Sequence, residues 1–343
     1  MITLTVTYSL YFSARLHLTV SRQSDHLLRM RSRRLIAGGL LLAASPGLSV
    51  AQRLVGKRRP DTSLIRYGLA ALGLIGATLQ AAAPAAAQQA DKSAYTFFKP
   101  TPDKLLRELA TDRPDATESP FTVDAGRVQL EMDFANLTRN RLDGVRTTAW
   151  EVVPCNLRLG LAQSFELGVF LTPWQREAEK PRFGPSESRS GFGDTTLRGK
   201  FNCGGNEGGP LAWGLMADLK LPTAAGGFSN GKCEGALTLP VAFELGGGWG
   251  GGAMTFVELR YAGGGQYRAV WGNTFTVGHD ITEKLGGFVE LTSSAGDGAH
   301  VATFNCGLTY ALARDVQLDG GVNLGISRNA PDLRFFAGVS RRF

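Results

Sequence analysis

Residues Leu333 to Phe343 read LRFFAGVSRRF and end the chain. Counting back by twos gives Phe343, Arg341, Val339, Ala337, Phe335 and Leu333. The residues between them are Arg342, Ser340, Gly338, Phe336 and Arg334. One set is mainly apolar and the other mainly polar or small. A period of two marks a strand whose two faces meet different media. One cation, Arg341, interrupts the apolar set.

The same alternation recurs upstream. It begins after Gly126, where Val128, Leu130, Met132 and Phe134 oppose Gln129, Glu131 and Asp133. Further runs cover about 147–161, 165–172, 194–201, 211–221, 237–245, 253–261, 268–278, 289–292, 302–310 and 316–326. With the terminal stretch the count is twelve, even as in single-chain bacterial barrels. The predicted fold is all-β: a closed, antiparallel, up-and-down transmembrane β-barrel of about twelve strands, preceded by an N-terminal signal segment. Lipid cannot satisfy backbone N–H and C=O groups, so a spanning sheet has to close. The last strand then pairs with the first. Phe335, Val339 and Phe343 form its apolar edge, the expected closing signal for the barrel-assembly machinery.

The spacers alternate in length. Those after odd runs, 139–146, 175–190, 223–234, 262–267, 293–298 and 327–332, are expected to be outer loops. Those after even runs, such as 162–164, 203–209, 246–251 and 312–315, are mostly tighter and suit periplasmic turns.

The net charge of +7 is misleading until it is located. Residues 1–87 hold eleven Lys/Arg and two Asp, a balance of +9, so 88–343 carry −2. No basic, aromatic-interleaved patch remains there, which argues against nucleic acid. Within 1–87 are two signal-like segments, each a basic stretch, an apolar run and small residues. The second, 57–87, is the expected signal peptide, cleaved near Ala87–Gln88. Residues 1–54 are then expected to be a mis-assigned extension. Residues 88–125 do not alternate and are expected to be a periplasmic arm or a plug. Residues 126–343 are the barrel. Cys155, Cys203, Cys233 and Cys306 show no metal-ligand spacing.

Several short stretches carry a family resemblance. They are Thr111-Asp112-Arg113-Pro114-Asp115 with Thr117-Glu118-Ser119-Pro120, then Gly191-Phe192-Gly193-Asp194 with Lys200, and Lys220-Leu221-Pro222-Thr223. Together these resemble the transporters grouped under the meta-pathway of phenol degradation, over about residues 110–343. The resemblance implies a barrel in the bacterial outer membrane and passive passage of small molecules, aromatic or hydrophobic ones among them.

On the polar faces Glu131, Asp133, Arg158, Glu166, Asp194, Arg198 and Lys200 are expected to line the lumen. So are Asp218, Lys220, Glu244, Glu258, Arg260, Glu290 and Asp319. They would either set selectivity or pair as a packing layer. A non-transporting structural barrel and an outer-membrane hydrolase are the alternatives. For the hydrolase, Gly227-Phe228-Ser229-Asn230-Gly231 matches G-x-S-x-G but lacks the strand–turn–helix context. His300 with Ser293, Ser294 and Asp297 is the other rim cluster. The chain is therefore expected not to be an enzyme. The expected partners are membrane lipid, the assembly machinery and a small solute, with no cofactor and no metal. The oligomeric state is left open.

Overall fold

A computed structural model describes residues 2–9, 13–20 and 91–343. The expected signal segment 57–87 and its cleavage point lie outside the described residues. Near the N-terminus β1 (Ile2–Ser9) pairs antiparallel with β2 (Ser13–Val20), in a unit separate from the one that contains the barrel.

In the larger unit a single 3-10 turn, Asp103–Leu105, precedes the strands. These are β3 (Val128–Leu142), β4 (Val145–Val152), β5 (Cys155–Ala162), β6 (Phe165–Leu171), β7 (Trp174–Pro181), β8 (Glu187–Gly191) and β9 (Thr195–Gly204). Then follow β10 (Leu211–Leu221), β11 (Glu234–Gly246), β12 (Trp249–Gly263), β13 (Gln266–Asp280), β14 (Leu285–Gly296), β15 (Ala299–Ala313), β16 (Val316–Gly325) and β17 (Leu333–Arg342). Fifteen strands make twelve staves, because β4–β5, β6–β7 and β8–β9 are each one stave with a break. Two breaks fall at Pro154 and Pro173, which cannot donate to a ladder. Every neighbouring pair is antiparallel, and β17 pairs with β3 to close the ring. The Phe343 N–H finishes that seam by donating to the Val128 carbonyl at 2.8 Å.

The burial pattern is the reverse of a soluble protein's. Leu157, Leu167, Leu237, Leu259, Leu291 and Phe335 are exposed, whereas Arg158 and Lys200 are 0% exposed. Apolar side chains face outward because the outside is hydrocarbon; charged ones face inward because the lumen is polar. On the second stave the outward apolar face runs from Trp150 to Leu161. Eleven rises of about 3.3 Å at a tilt near 45° span roughly 26 Å, close to the ~25 Å apolar band of such barrels. Phe335, Val339 and Phe343 lie on this outer face. Arg341, next to them, stacks its guanidinium on the Phe343 ring at 4.6 Å, near the edge of the band. There it can reach headgroups.

The expected loops need correction. Residues 139–146 and 293–298 are mostly strand, each closed by an Asp-Gly pair, Asp143-Gly144 and Asp297-Gly298. All four residues have positive φ, which suits the tight hairpin turn that continues the strand twist. Most of 175–190 is the β7–β8 hairpin, and 262–267 narrows to 264–265. The long connection that remains is 222–233. It folds inward: the Arg189 guanidinium donates to the Gly227 carbonyl at 2.8 Å and stacks on Phe228 at 4.6 Å. All four cysteines are free thiols.

Candidate functional site

The lumen of this barrel is occupied by its own chain. Residues 111–124 leave the N-terminal arm and bond to wall residues on nearly every side. Their sequence, Thr111-Asp112-Arg113-Pro114-Asp115-Ala116-Thr117-Glu118-Ser119-Pro120-Phe121-Thr122-Val123-Asp124, explains why no helix or strand forms. Two prolines remove ladder donors, and Asp, Thr and Ser satisfy backbone groups locally.

Four sockets hold this segment. The first is on β3, β16 and β17. Register places Asp133, Gly338 and Asp319 side by side on these three strands. The Arg113 guanidinium lies over Gly338 and pairs with Asp133 and Asp319, each at 2.5 Å. A side chain at 338 would strike that guanidinium.

The second socket is centred on Arg158. It pairs with Glu131 at 2.6 Å, Glu166 at 2.8 Å and Asp112 of the arm at 3.5 Å. Lys200 joins from β9, 2.5 Å from Asp112 and 3.6 Å from Glu166. Two cations thus meet three carboxylates, so each buried charge has an opposite neighbour, as burial demands. The Glu166 carboxylate also accepts the Val123 N–H at 2.6 Å.

The third socket is Glu290 on β14. Its carboxylate accepts the Ala116 N–H at 3.0 Å, the Thr117 N–H at 2.7 Å, the Thr117 hydroxyl at 2.5 Å and the Asn305 amide at 2.6 Å. Burial, and then the nearby Glu290, push the Asp115 carboxyl well above its ordinary range.

The fourth is Arg198, which holds Asp218 of the wall at 2.7 Å and Glu118 of the arm at 2.5 Å. β9 and β14 are the fourth and ninth of twelve staves, on opposite sides of the ring. Consecutive residues Thr117 and Glu118 therefore bond to opposing walls, and the chain crosses the lumen between them. Burial pushes the Glu118 carboxyl up from 4.5 to about 7, with Arg198 opposing.

At the Phe343 end of the barrel Asp124 receives Arg342 at 3.2 Å and Arg107 at 3.2 Å, and Lys92 bonds Glu207 at 2.5 Å. The wall has no side chain at Gly160, where the carbonyls of Val123 and Asp124 pass.

Of the fourteen expected lumen residues, Glu131, Asp133, Arg158, Glu166, Arg198, Lys200, Glu290 and Asp319 contact the arm, and Asp218 backs Arg198. Four, Asp194, Lys220, Glu258 and Arg260, stand nearer the end of the barrel that carries the Asp143-Gly144 turn. Lys220 joins Asp194 at 3.2 Å and Glu234 at 2.6 Å, and Glu258 joins Arg260 at 2.5 Å. Glu244 is exposed close to the β11–β12 turn, at the opposite end. Sequence reasoning gave no site role to Asp112, Arg113, Asp124 and Arg342. Arg342 could have been found, since it alternates with Phe343 onto the inner face.

The hydrolase alternative gains no geometry. Ser229 lies in the 222–233 connection, where its hydroxyl accepts the Gly231 N–H at 3.1 Å. Ser293 Oγ and His300 Nε2 are 3.1 Å apart, but the Asp297 carboxylate is engaged by Arg268 rather than by the histidine. Among the described residues no cluster of His, Cys, Asp and Glu could hold a metal.

Residues 111–343 match the family model described as "Putative MetA-pathway of phenol degradation". No curated protein matches the chain. Among solved structures, the COG4313 outer membrane channel from Pseudomonas putida F1 is 13% identical, with 68% of this chain and 100% of that one covered and a TM-score of 0.46. The NanC porin is 9% identical, with coverage of 62% and 98% and a TM-score of 0.41. The CymD monoaromatic hydrocarbon channel is 8% identical, with coverage of 63% and 87% and a TM-score of 0.37.

Proposed function

Because the chain belongs to the family of the MetA pathway of phenol degradation, we propose that it is a bacterial outer-membrane channel for passive passage of small molecules, aromatic or hydrophobic ones among them. The carrying observation is the way the lumen is filled. The obstructing segment is held mainly by ion pairs and hydrogen bonds; of its apolar side chains only Pro120 and Val123 are buried. Such contacts can be exchanged for water, so the obstruction is a removable one. An apolar core at the same place would be permanent. The charged wall left behind is the polar path and its selectivity filter. In this reading Phe343 lies at the periplasmic rim, with the Asp143-Gly144 hairpin on the cell's exterior.

The test is conductance of the refolded full-length barrel in planar bilayers, with and without phenol, alongside phenol uptake in a deletion strain. Discrete channel events and slower uptake on deletion are expected. Silence in the bilayer together with unchanged uptake would refute the channel and favour a structural barrel.

A further inference from the structure

The outer ends of the first three staves are polarised across the sheet. On their inward face stand Glu151, Glu177 and Glu179. On their outward face stand Arg139, Arg141, Arg146, Arg176 and Lys180, all exposed. Register lays these cations in rows. Arg141 is opposite Arg146, which is opposite Lys180, and Arg176 is opposite Trp150. Directly opposed side chains on a sheet stand about 5 Å apart, and like charges there repel. Among the described residues none of the five has a carboxylate partner. The other outward positions of this patch are Thr148, Ala178, Ser188 and Ser190, so no acid relieves the repulsion. Trp150 and Trp174 mark where the apolar band ends, and four of the cations lie beyond them toward the Asp143-Gly144 turn. Arg176 is level with Trp150.

The rim at β12 and β13 is different. The outward face of β12 and β13 at the same end carries Leu259, Tyr261, Tyr267, Ala269 and Trp271. Arg268, opposite Arg260 on the inward face, is paired with Asp297.

We propose that this one-sided patch binds the phosphate groups of the phosphorylated glycolipid of the outer leaflet. The argument is charge complementarity at a defined depth. An unpaired cation row beside an aromatic belt lies where the headgroup phosphates of a surrounding lipid lie. Arginine forks match phosphate oxygens bidentately. A soluble anion would not explain why the cations face outward, level with the headgroups, and avoid the lumen. The proposal rests on the orientation given above, with the Asp143-Gly144 hairpin on the cell exterior.

The experiment uses the full-length purified protein and lipopolysaccharide from a deep-rough strain, intact or stripped of phosphate. Binding is compared for the native chain, Arg141→Gln/Arg146→Gln/Lys180→Gln, each single change, and Arg268→Gln. Each cation near an anionic surface contributes about fivefold, so the triple change should weaken binding roughly 100-fold. Phosphate removal should abolish the difference, and Arg268→Gln should bind as the native chain does. Equal binding by native and triple variants, or equal binding of stripped glycolipid, overturns the site. If the triple variant fails to migrate as a folded barrel, the single changes carry the same comparison at about fivefold each. Thiol labelling of Ser188→Cys in intact cells, in a background without the four native cysteines, separates the premises. Labelling without binding overturns the lipid site alone, and absence of labelling overturns the orientation with it.

Discussion

Replacing Glu290 with alanine removes the acceptor that fixes the tip of the lumenal segment. Four donors converge on that carboxylate, and three belong to the segment: the N–H groups of Ala116 and Thr117 and the Thr117 hydroxyl. Hydrogen bonds to a charged group contribute ~1.5–3 kcal/mol each. Here the freed donors can meet lumen water, which returns most of that, so about 1 kcal/mol per bond is the working figure. Removing the charge also relieves Asp115, whose carboxyl Glu290 disfavours in its ionised form. The tip should therefore lose somewhat less than ~3 kcal/mol, and its undocked population should rise by up to roughly 100-fold. The base of the segment stays held at Arg158, Asp124 and Gly160. The assay is the frequency and duration of open events in planar bilayers. It is paired with the rate at which a Thr117→Cys thiol reacts, in a background without the four native cysteines. Faster labelling and longer openings are expected. Unchanged labelling and conductance in a barrel that still shifts on heating would refute the view that Glu290 latches the segment.

Further outcomes follow from the same contacts. The docked Glu118 carboxyl keeps a proton up to about pH 7, whereas a free one releases it near 4.5. Docking is thus strongest below pH 4.5 and weakens as pH rises to about 7. Open probability should increase across that window, and Glu118→Gln should flatten the increase. Arg158→Ala leaves Asp112 and Glu166 with Lys200 and removes the ion-pair partner of Glu131. Breaking a buried pair costs ~3–5 kcal/mol, so the variant's thermal unfolding temperature should fall clearly, while the isosteric pair Arg158→Met/Glu166→Leu should recover much of it. Deleting Phe343 removes the last seam bond and should lower the amount of barrel inserted in membranes, read as the heat-modifiable band; normal levels would count against a closing role. Mass spectrometry of the mature N-terminus should begin near Gln88, and peptides from 1–54 in membrane fractions would contradict the proposed start.

The alternation made the wall legible because a strand's period is fixed by backbone geometry. Leu157 and Arg158 could be assigned to opposite faces with no structure in hand. The turns were less legible. Asp143-Gly144 and Asp297-Gly298 are hairpin signals of two residues, and polar flanking strands beyond the lipid disguised them as loops. Arg139 and Arg141 show why: outside hydrocarbon, the outward face no longer has to be apolar. The lumenal segment was legible only as a departure from the pattern. Its partners at Glu290 are mostly backbone N–H groups, which every residue carries and no sequence pattern distinguishes. Arg113 offers a side-chain signal, but its two aspartates are 20 and 206 residues away, on strands whose adjacency exists only after closure.

That last arrangement has a consequence for how the barrel comes together. Asp133 belongs to the first stave and Asp319 to the eleventh, and the twelfth lies between them. If the closing strand slid by two residues along its partner, its faces would still match hydrocarbon and lumen. The two aspartates, however, would move apart by about 7 Å. One guanidinium could no longer touch both. Arg113 therefore acts as a gauge of register, able to tell the right seam from one that hydrophobicity alone would accept. A misaligned cylinder would be left with a loose segment inside and a buried, unanswered carboxylate, and so with a reason to reopen and try again.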